Sequence, residues 1–592
     1  MCGVAGEVTF DGERADTDVV RRMAATMRDR GPDGEGSWSC GWAALGHRRL
    51  SVIDLSDAGG QPMQSADARV TIVFNGCVYN HRELRHELEP GRPFGTTSDT
   101  EVVLAAYERW GARFVDHLVG MFAVVVVDER RREVVLARDR LGVKPLYLAT
   151  VGGRLRFAST LPALLAGGGV DTELDPVGLH HYLSWHSIVP GSRTVLRGVR
   201  KLPPATVRVI DERGGTQDRE YWAPTYERDA GRACWTARDW EDAVEDALRT
   251  AVRRRLVADV PVGVLLSGGL DSSLLVALLA EESADPVGTY SIGFEDAAGE
   301  SGDEFRWSDV VAERFGTEHT RILVPTTDLP TAVDEAVDAM TEPMATQDVA
   351  AFFLLSRAVS EDRKVVQSGQ GADEVFAGYR YHRRAGRVSR DGALDAFAGA
   401  FSESASGVRA LVEPGWLPAG DVSRDTIAAH LAAPGAATAL DAVLRLDTHL
   451  LMPDDPVKRV DSMTMASGLE ARVPFLDQDL VTLAAACPPA LKIADDGKGL
   501  LKALGRRLLP QEVVDRPKGY FPVPALRHLD GALAGVARDA LLAPEARQRG
   551  LLRQDVVQAV IDRPDAFRTR VGGALCWQLA VLELWLQRHG IR

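Results

Sequence analysis

Cysteine is scarce in this chain, with six thiols in 592 residues: Cys2, Cys40, Cys77, Cys234, Cys487 and Cys576. No two have C-x-x-C spacing, which argues against a zinc site or a dithiol redox centre. So thin a scatter over so long a chain also argues against a disulfide framework. Long apolar runs are missing too. No stretch approaches the length of a membrane-spanning helix, and no basic segment followed by an apolar run marks a secretory leader. Nor is there a surplus of positive charge: the formal net charge of -15 disfavours general nucleic-acid binding. The expectation is a cytoplasmic protein in a reducing compartment, with neither a nucleic-acid nor a membrane partner. What the chain does have is length, and a single hydrophobic core does not serve 592 residues, so at least two domains are expected.

Residues 2–210 read as a β-rich domain. Valine-rich runs at 70–74, 122–127 and 133–137 are bounded by turn residues, and residues 99–110 carry helical spacing. Layered sheets with helices outside satisfy this pattern. Residues 211–238 are polar, with few periodic apolar positions, and read as a linker. Across residues 239–592 helices alternate with short buried strands, predicted at 261–266, 287–293 and 364–367. That alternation implies a parallel sheet with ligands at the C-terminal ends of its strands. Residues 391–446 read as alanine-rich helix without chemistry.

Cys2 stands directly after the initiator methionine. Removal of Met1 would put a thiol and an α-amine on one residue, and an amine whose ordinary pKa is about 8 can act as base for its own thiol. Four further motifs follow: Arg30-Gly31-Pro32-Asp33-Gly34, Gly46-His47-Arg48-Arg49-Leu50-Ser51, Phe74-Asn75-Gly76-Cys77-Val78-Tyr79-Asn80 and Thr97-Ser98-Asp99-Thr100-Glu101. In this order and spacing they resemble the class II glutamine amidotransferase domain, whose N-terminal nucleophile fold is an αββα sandwich. The resemblance implies Cys2 as nucleophile, with the Asn75 side chain and the Gly76 backbone N–H as oxyanion hole. Arg49 would pair with the α-carboxylate of glutamine and Asp99 with its α-amine. Each role makes chemical sense: a tetrahedral oxyanion needs preorganised donors, and a guanidinium binds a carboxylate bidentately. The sequence also resembles the asparagine synthetases here but departs in one respect: many of those carry a glutamate after Asn-Gly that helps to hold the substrate amine. Here that residue is Cys77, leaving Asp99 to make the contact alone.

The second strong signal is Leu265-Leu266-Ser267-Gly268-Gly269-Leu270-Asp271-Ser272-Ser273, between a buried strand and a helix. Small residues let backbone N–H groups approach phosphate oxygens, and a helix N-terminus favours negative charge. It lacks the Gly-Lys-Ser/Thr of a Walker loop. The pattern resembles the loop of ATP pyrophosphatases, enzymes of an adenine-nucleotide α-hydrolase-like fold that cleave ATP to AMP and pyrophosphate. An ATP site would then use Leu266, Ser267, Gly268, Gly269, Asp271, Ser272, Ile292, Ser368 and Gly369. Asp271 and Asp373 would hold Mg²⁺, a hard cation suited to carboxylate and phosphate oxygens. In the resemblance Lys498 is the pyrophosphate-binding catalytic lysine.

Taken together, residues 2 to about 525 resemble the glutamine-hydrolysing asparagine synthetase family. There a cysteine glutaminase feeds ammonia through an internal tunnel to an acyl-adenylate, and a homodimer through the glutaminase domains is common. Glutamine and a small carboxylate are the implied partners. Two departures bear on the acceptor. The family loop S-G-E-G-x-D-E carries a glutamate proposed as a base, and here that position is Gln370, which cannot take a proton and becomes an acceptor-site candidate. The segment Glu342-Pro343-Met344-Ala345-Thr346-Gln347-Asp348-Val349 differs as well. The stretches NGCVYN, QSGQGADEVFAGY, DDPVKRVDSMTMA, GLEARVPFLD and RPKGYFPVPAL look like the N-acetylglutaminylglutamine amidotransferases, which implies amidation of a small acetylated dipeptide to give an osmolyte. Asparagine synthesis, or amidation of a secondary-metabolite carboxylate, is the alternative. Asp455 and Lys458 are read as acceptor or interface contacts, residues 138–147 as structural, and His180 and His181 as core or solvated histidines rather than metal ligands.

Overall fold

The computed structural model describes residues 2–592 except 297–299, 518, 520–522 and 530. Its N-terminal part is two six-stranded sheets packed face to face. In spatial order the first runs Val199–Lys201, Tyr147–Val151, Arg154–Ala158, Gly3–Val8, Ala43–Arg49, Gly34–Ser39. The second runs Thr216–Glu220, Thr206–Ile210, Glu133–Arg138, Gly120–Asp128, Val70–Val78, Met63–Gln64. Alternation along the strands sorts side chains to two faces. Ala123, Val125 and Val127 meet Val4, Val8 and Leu45 of the first sheet in the central core. Val124 and Val126 face outward, onto Val103 and Tyr107 of the helix Asp99–Trp110. On the far side the helix Thr17–Ala25 covers the first sheet through Val19, Val20 and Met23. This is the expected αββα arrangement.

Residues 211–238 differ from the linker expected of them: Thr216–Glu220 forms a strand pairing antiparallel with Thr206–Ile210. It lies at a sheet edge and is mostly exposed, so it carries none of the apolar alternation by which a strand is recognised.

The C-terminal part holds a five-stranded parallel sheet in the order Glu318–Val324, Gly288–Phe294, Val262–Leu265, Val365–Gln367, Glu470–Arg472. The strand earliest in sequence, Val262–Leu265, lies in the middle, with Gly288–Phe294 on one side and Val365–Gln367 on the other. Its C-terminal end is therefore a topological switch point, where loops diverge and leave a crevice. Among the described residues no helix is long and apolar enough to cross a membrane.

The helix Pro456–Met465 is buried along its whole length. Asp461, near its middle, takes Lys144 Nζ at 2.8 Å and Arg30 Nη2 at 3.0 Å. Burial alone would raise the Asp461 carboxyl, but Arg30 and Lys144 outweigh it and hold it below the usual carboxylate range. One turn earlier, Lys458 lies 3.5 Å from Glu342, which also accepts from Tyr147 Oη at 3.0 Å, and Lys201 binds Asp454 at 2.5 Å. Lys458 thus sits at the junction of the two halves, and Asp455 binds Arg459 at 2.6 Å.

Removing one member of a buried ion cluster strands its partner in a poor solvent. Lys144→Met, which leaves Asp461 with Arg30 alone, is expected to cost about 3 kcal/mol, read as a lower guanidinium midpoint for the transition that separates the two halves.

Candidate active sites

Cys2 is buried at the start of the strand Gly3–Val8. Its backbone N–H donates to Asn75 Oδ1 at 3.0 Å, and Arg30 Nε donates to its carbonyl at 3.4 Å. Burial pushes the Cys2 thiol above its ordinary pKa, against the Leu50 N–H that points at the sulfur, so the thiol needs a nearby base to ionise. Asn75 and Gly76 lie inside a nine-residue strand, opposite Ala123 and Phe122, and not in a hairpin turn. With Oδ1 engaged, Asn75 Nδ2 is buried and has no hydrogen-bond partner among the described residues. An orphaned buried donor is costly, and this one lies between Phe74 and Gly76, two residues that line the cleft containing Cys2.

A cleft brings together Cys2, Arg49, Gly76, Cys77 and Asp99. Arg49 is held by the carbonyls of Ser56 at 2.6 Å and of Asp54. A Cβ on Gly59 would lie 2.2 Å from Arg49 Nη2, so only glycine lets the guanidinium sit there. Asp99 Oδ2 accepts from Val78 N at 3.0 Å, and burial raises its carboxyl. Two lining residues come from the far end of the chain: Glu470 and Arg472, on the edge strand of the parallel sheet. Sequence reading placed that motif with the nucleotide half. The one available signal was a pair of charges at alternate positions inside an otherwise apolar run.

At the switch point of the parallel sheet a cavity is lined by Leu266, Ser267, Gly269, Asp271, Ser272, Ile292, Ser368, Gly369, Gln370 and Asp373. Gly268 has φ +67°, and a Cβ there would lie 2.5 Å from the Trp307–Ser308 backbone. The helix Leu270–Glu282 starts at Gly269 with no side-chain cap, leaving its first N–H groups to a ligand anion. Arg516, which sequence reading did not single out, fastens this loop by donating to the Gly268 carbonyl at 2.9 Å. Of the RPKGYFPVPAL stretch, Lys518, Tyr520, Phe521 and Pro522 lie outside the described residues.

Lys498 Nζ stands between Asp271 Oδ2 at 2.6 Å and Asp373 Oδ2 at 3.0 Å. Burial would lower its ammonium, but the two carboxylates outweigh that and hold it above the ordinary lysine range. Three non-glycine residues in a row up to Lys498, broken only by Gly497, have positive φ: Asp495, Asp496 and Lys498. Such conformations cost energy and cluster at functional sites. Two acidic oxygens thus converge on one cation position beside an anion cradle. That donor set fits Mg²⁺, which typically takes one or two protein carboxylates and completes its shell with phosphate and water.

Beyond Asp373, Glu374 accepts from Tyr379 Oη at 2.6 Å, and burial together with Asp373 pushes its carboxyl to about 7. Arg459 contacts Thr346 at 3.0 Å and Asp348 at 3.2 Å, so the segment that departs from the asparagine synthetases packs at this end. His180 and His181 both contact the buried Ser423 hydroxyl, at 2.8 and 3.0 Å, and serve packing, as expected.

The asparagine synthase family profile matches residues 243–587. The chain belongs to the asparagine synthetase family. A glutamine amidotransferase domain profile matches residues 1–222. The chain is 31% identical to asparagine synthetase [glutamine-hydrolyzing] 3 of Bacillus subtilis, over 88% of this chain and 87% of that one. It is 28% identical to asparagine synthetase [glutamine-hydrolyzing] 1 of the same organism, over 99% and 96%, and 28% identical to asparagine synthetase [glutamine-hydrolyzing] 2 of Arabidopsis thaliana, over 88% and 76%. This synthetase-family protein is a glutamine-dependent amidotransferase, built as a glutamine amidotransferase domain of αββα architecture followed by a parallel-sheet synthetase domain.

A methyl group on Gly59 would displace the Arg49 guanidinium. Gly59→Ala is therefore expected to raise the KM for glutamine about tenfold while ammonia-dependent amide formation keeps its rate, as measured by steady-state assays with each nitrogen source.

Proposed function

We propose that this amidotransferase hydrolyses glutamine at Cys2, adenylates a small carboxylate in the Ser267–Ser272 cavity, and amidates N-acetylglutaminylglutamine at its terminal carboxylate. Once Met1, which lies outside the described residues, is removed, the α-amine of Cys2 takes the proton of its own thiol. The sulfur attacks the glutamine carboxamide. Asn75 Nδ2 and the Gly76 N–H receive the oxyanion, ammonia leaves, and water hydrolyses the thioester to glutamate. Arg49 and Asp99 hold the α-carboxylate and α-amine.

In the second cavity the acceptor carboxylate attacks the α-phosphorus of ATP, and pyrophosphate leaves. Ser267, Gly268, Gly269 and Ser272 cradle phosphate oxygens, while Leu266, Ile292, Ser368 and Gly369 border the nucleotide. Lys498 turns from Asp271 and Asp373 to the departing pyrophosphate. Mg²⁺, held by those two carboxylates, would neutralise phosphate charge. Ammonia then attacks the acyl-adenylate, forming the amide and releasing AMP.

The observation that carries the acceptor is Gln370 on the wall of this cavity. A carboxamide both donates and accepts but forms no ion pair, which suits an acetylated, amide-rich dipeptide better than the α-ammonium of free aspartate. The names of the relatives favour aspartate, and a product assay separates the two. With glutamine and Mg-ATP, acetylated Gln-Gln is expected to give its amide, AMP and glutamate. Asparagine from aspartate, with no dipeptide amide, overturns the acceptor.

Cys2→Ala should abolish glutamine use and spare ammonia-dependent synthesis, and mass spectrometry should find the active chain without Met1. Asn75→Ala is expected to cut glutaminase kcat by about 10²–10³, read as glutamate release.

A further inference from the structure

The cavity around Cys2 has to hold a zwitterion. The α-carboxylate of glutamine can pair with Arg49, but beside Asn75-Gly76 the α-ammonium would meet the thiol of Cys77 and no carboxylate. Cys77 offers a buried thiol that burial pushes well above its ordinary pKa, so it supplies no charge. Among the described residues, Asp99 is the one acidic residue on that wall from the glutaminase half, and burial weakens it as an anion.

The edge strand Glu470–Arg472 makes up the deficit. Side chains alternate along a strand: Ala471 packs into the synthetase core, while Glu470 and Arg472 both face the glutamine cavity. Arg472 lies against the altered position itself, its Nη2 3.5 Å from Cys77 Sγ. The arginine is fixed by the carbonyls of Arg255 and Val257 at 2.9 and 2.8 Å, and its Nε donates to Glu470 Oε1 at 2.6 Å. The Glu470 carboxylate is therefore aimed before any substrate arrives, and preorganised charge is what binding a zwitterion from water requires. Its charge reaches Cys2, Cys77 and Asp99. Burial would raise the Glu470 carboxyl, but Arg472 beside it leaves it at about 2, fully ionised at neutral pH.

We propose that Glu470, carried across the domain boundary by the synthetase sheet, is the second carboxylate that binds the α-ammonium of glutamine in this chain. This rests on the glutaminase reading of the Cys2 cavity. It makes glutamine affinity a property of both halves: the synthetase strand must be docked for the donor substrate to bind well.

The full-length Glu470→Gln variant keeps the side-chain shape and an oxygen for Arg472 while removing the charge. The KM for glutamine is expected to rise roughly tenfold, more than kcat falls, with each rate normalised to ammonia-dependent turnover of the same preparation. The inhibition constant of glutaramate, which is glutamine without its α-amine, should stay within about twofold, because that ligand has no ammonium to lose a partner. Adding Cys77→Glu to this variant should recover glutamine KM. A glutamine KM unchanged by Glu470→Gln, or an equal loss for glutamine and glutaramate, overturns the proposal. If Glu470→Gln does not accumulate as folded protein, Cys77→Glu alone decides. A third carboxylate on that wall should then tighten glutamine without tightening glutaramate, and equal effects on both overturn the assignment. These failures leave glutamine hydrolysis at Cys2 intact, whereas undiminished glutamine use by Cys2→Ala would sink the underlying reading instead.

Discussion

Asp461 sits where the two halves of the chain meet, and its carboxylate is shared between Lys144 and Arg30, both contributed by the other half. A buried carboxylate with one missing cation is a heavy liability, so the two halves settle where all three groups coincide. That position has a second effect. Arg30 also reaches the carbonyl of Cys2, and the strand Glu470–Arg472 begins shortly after the helix that carries Asp461. The same electrostatic constraint therefore places Cys2, the far wall of its cavity and the parallel sheet relative to one another. Two chemistries that must exchange a small neutral molecule before it picks up a proton gain from being fixed in this way.

The nucleotide end runs on a different principle. Its loops converge at the switch point of the sheet, where the uncapped N-terminus of the helix Leu270–Glu282 opens onto a cavity that Asp271 and Asp373 also line. Lys498 is held between the carboxylates of Asp271 and Asp373. The positive-φ backbone leading up to Lys498 goes with a side chain that meets both carboxylates. A relaxed loop there would let the lysine drift into solvent.

Much of this was legible in the residues. The valine runs at 70–74, 122–127 and 133–137 lie within strands, the helix at Asp99–Trp110 falls as its spacing indicated, and the loop after Val262–Leu265 lies at the cavity. These are local signals: periodicity, turn residues and small-residue loops leave a trace in adjacent positions. The misses share a cause. The polar strand Thr216–Glu220 gains its place from backbone pairing to Thr206–Ile210, to which its side chains contribute little. The approach of Glu470 and Arg472 to Cys77 links positions 395 apart for the arginine, and no local pattern encodes such a meeting. Asn75 was identifiable by motif, yet that one end of its amide is occupied and the other unpartnered follows only from three-dimensional packing.

A cavity whose wall is assembled from both ends of the polypeptide limits how the protein can be taken apart. Excising residues 1–222, the span of the glutamine amidotransferase profile, would strip Arg472 from beside Cys77 and leave Lys144 and Arg30 without Asp461. For the same reason, a chimera joining this N-terminal half to the synthetase half of a distant relative would inherit a mismatched seam unless that relative kept an acid–base pair in register on its edge strand.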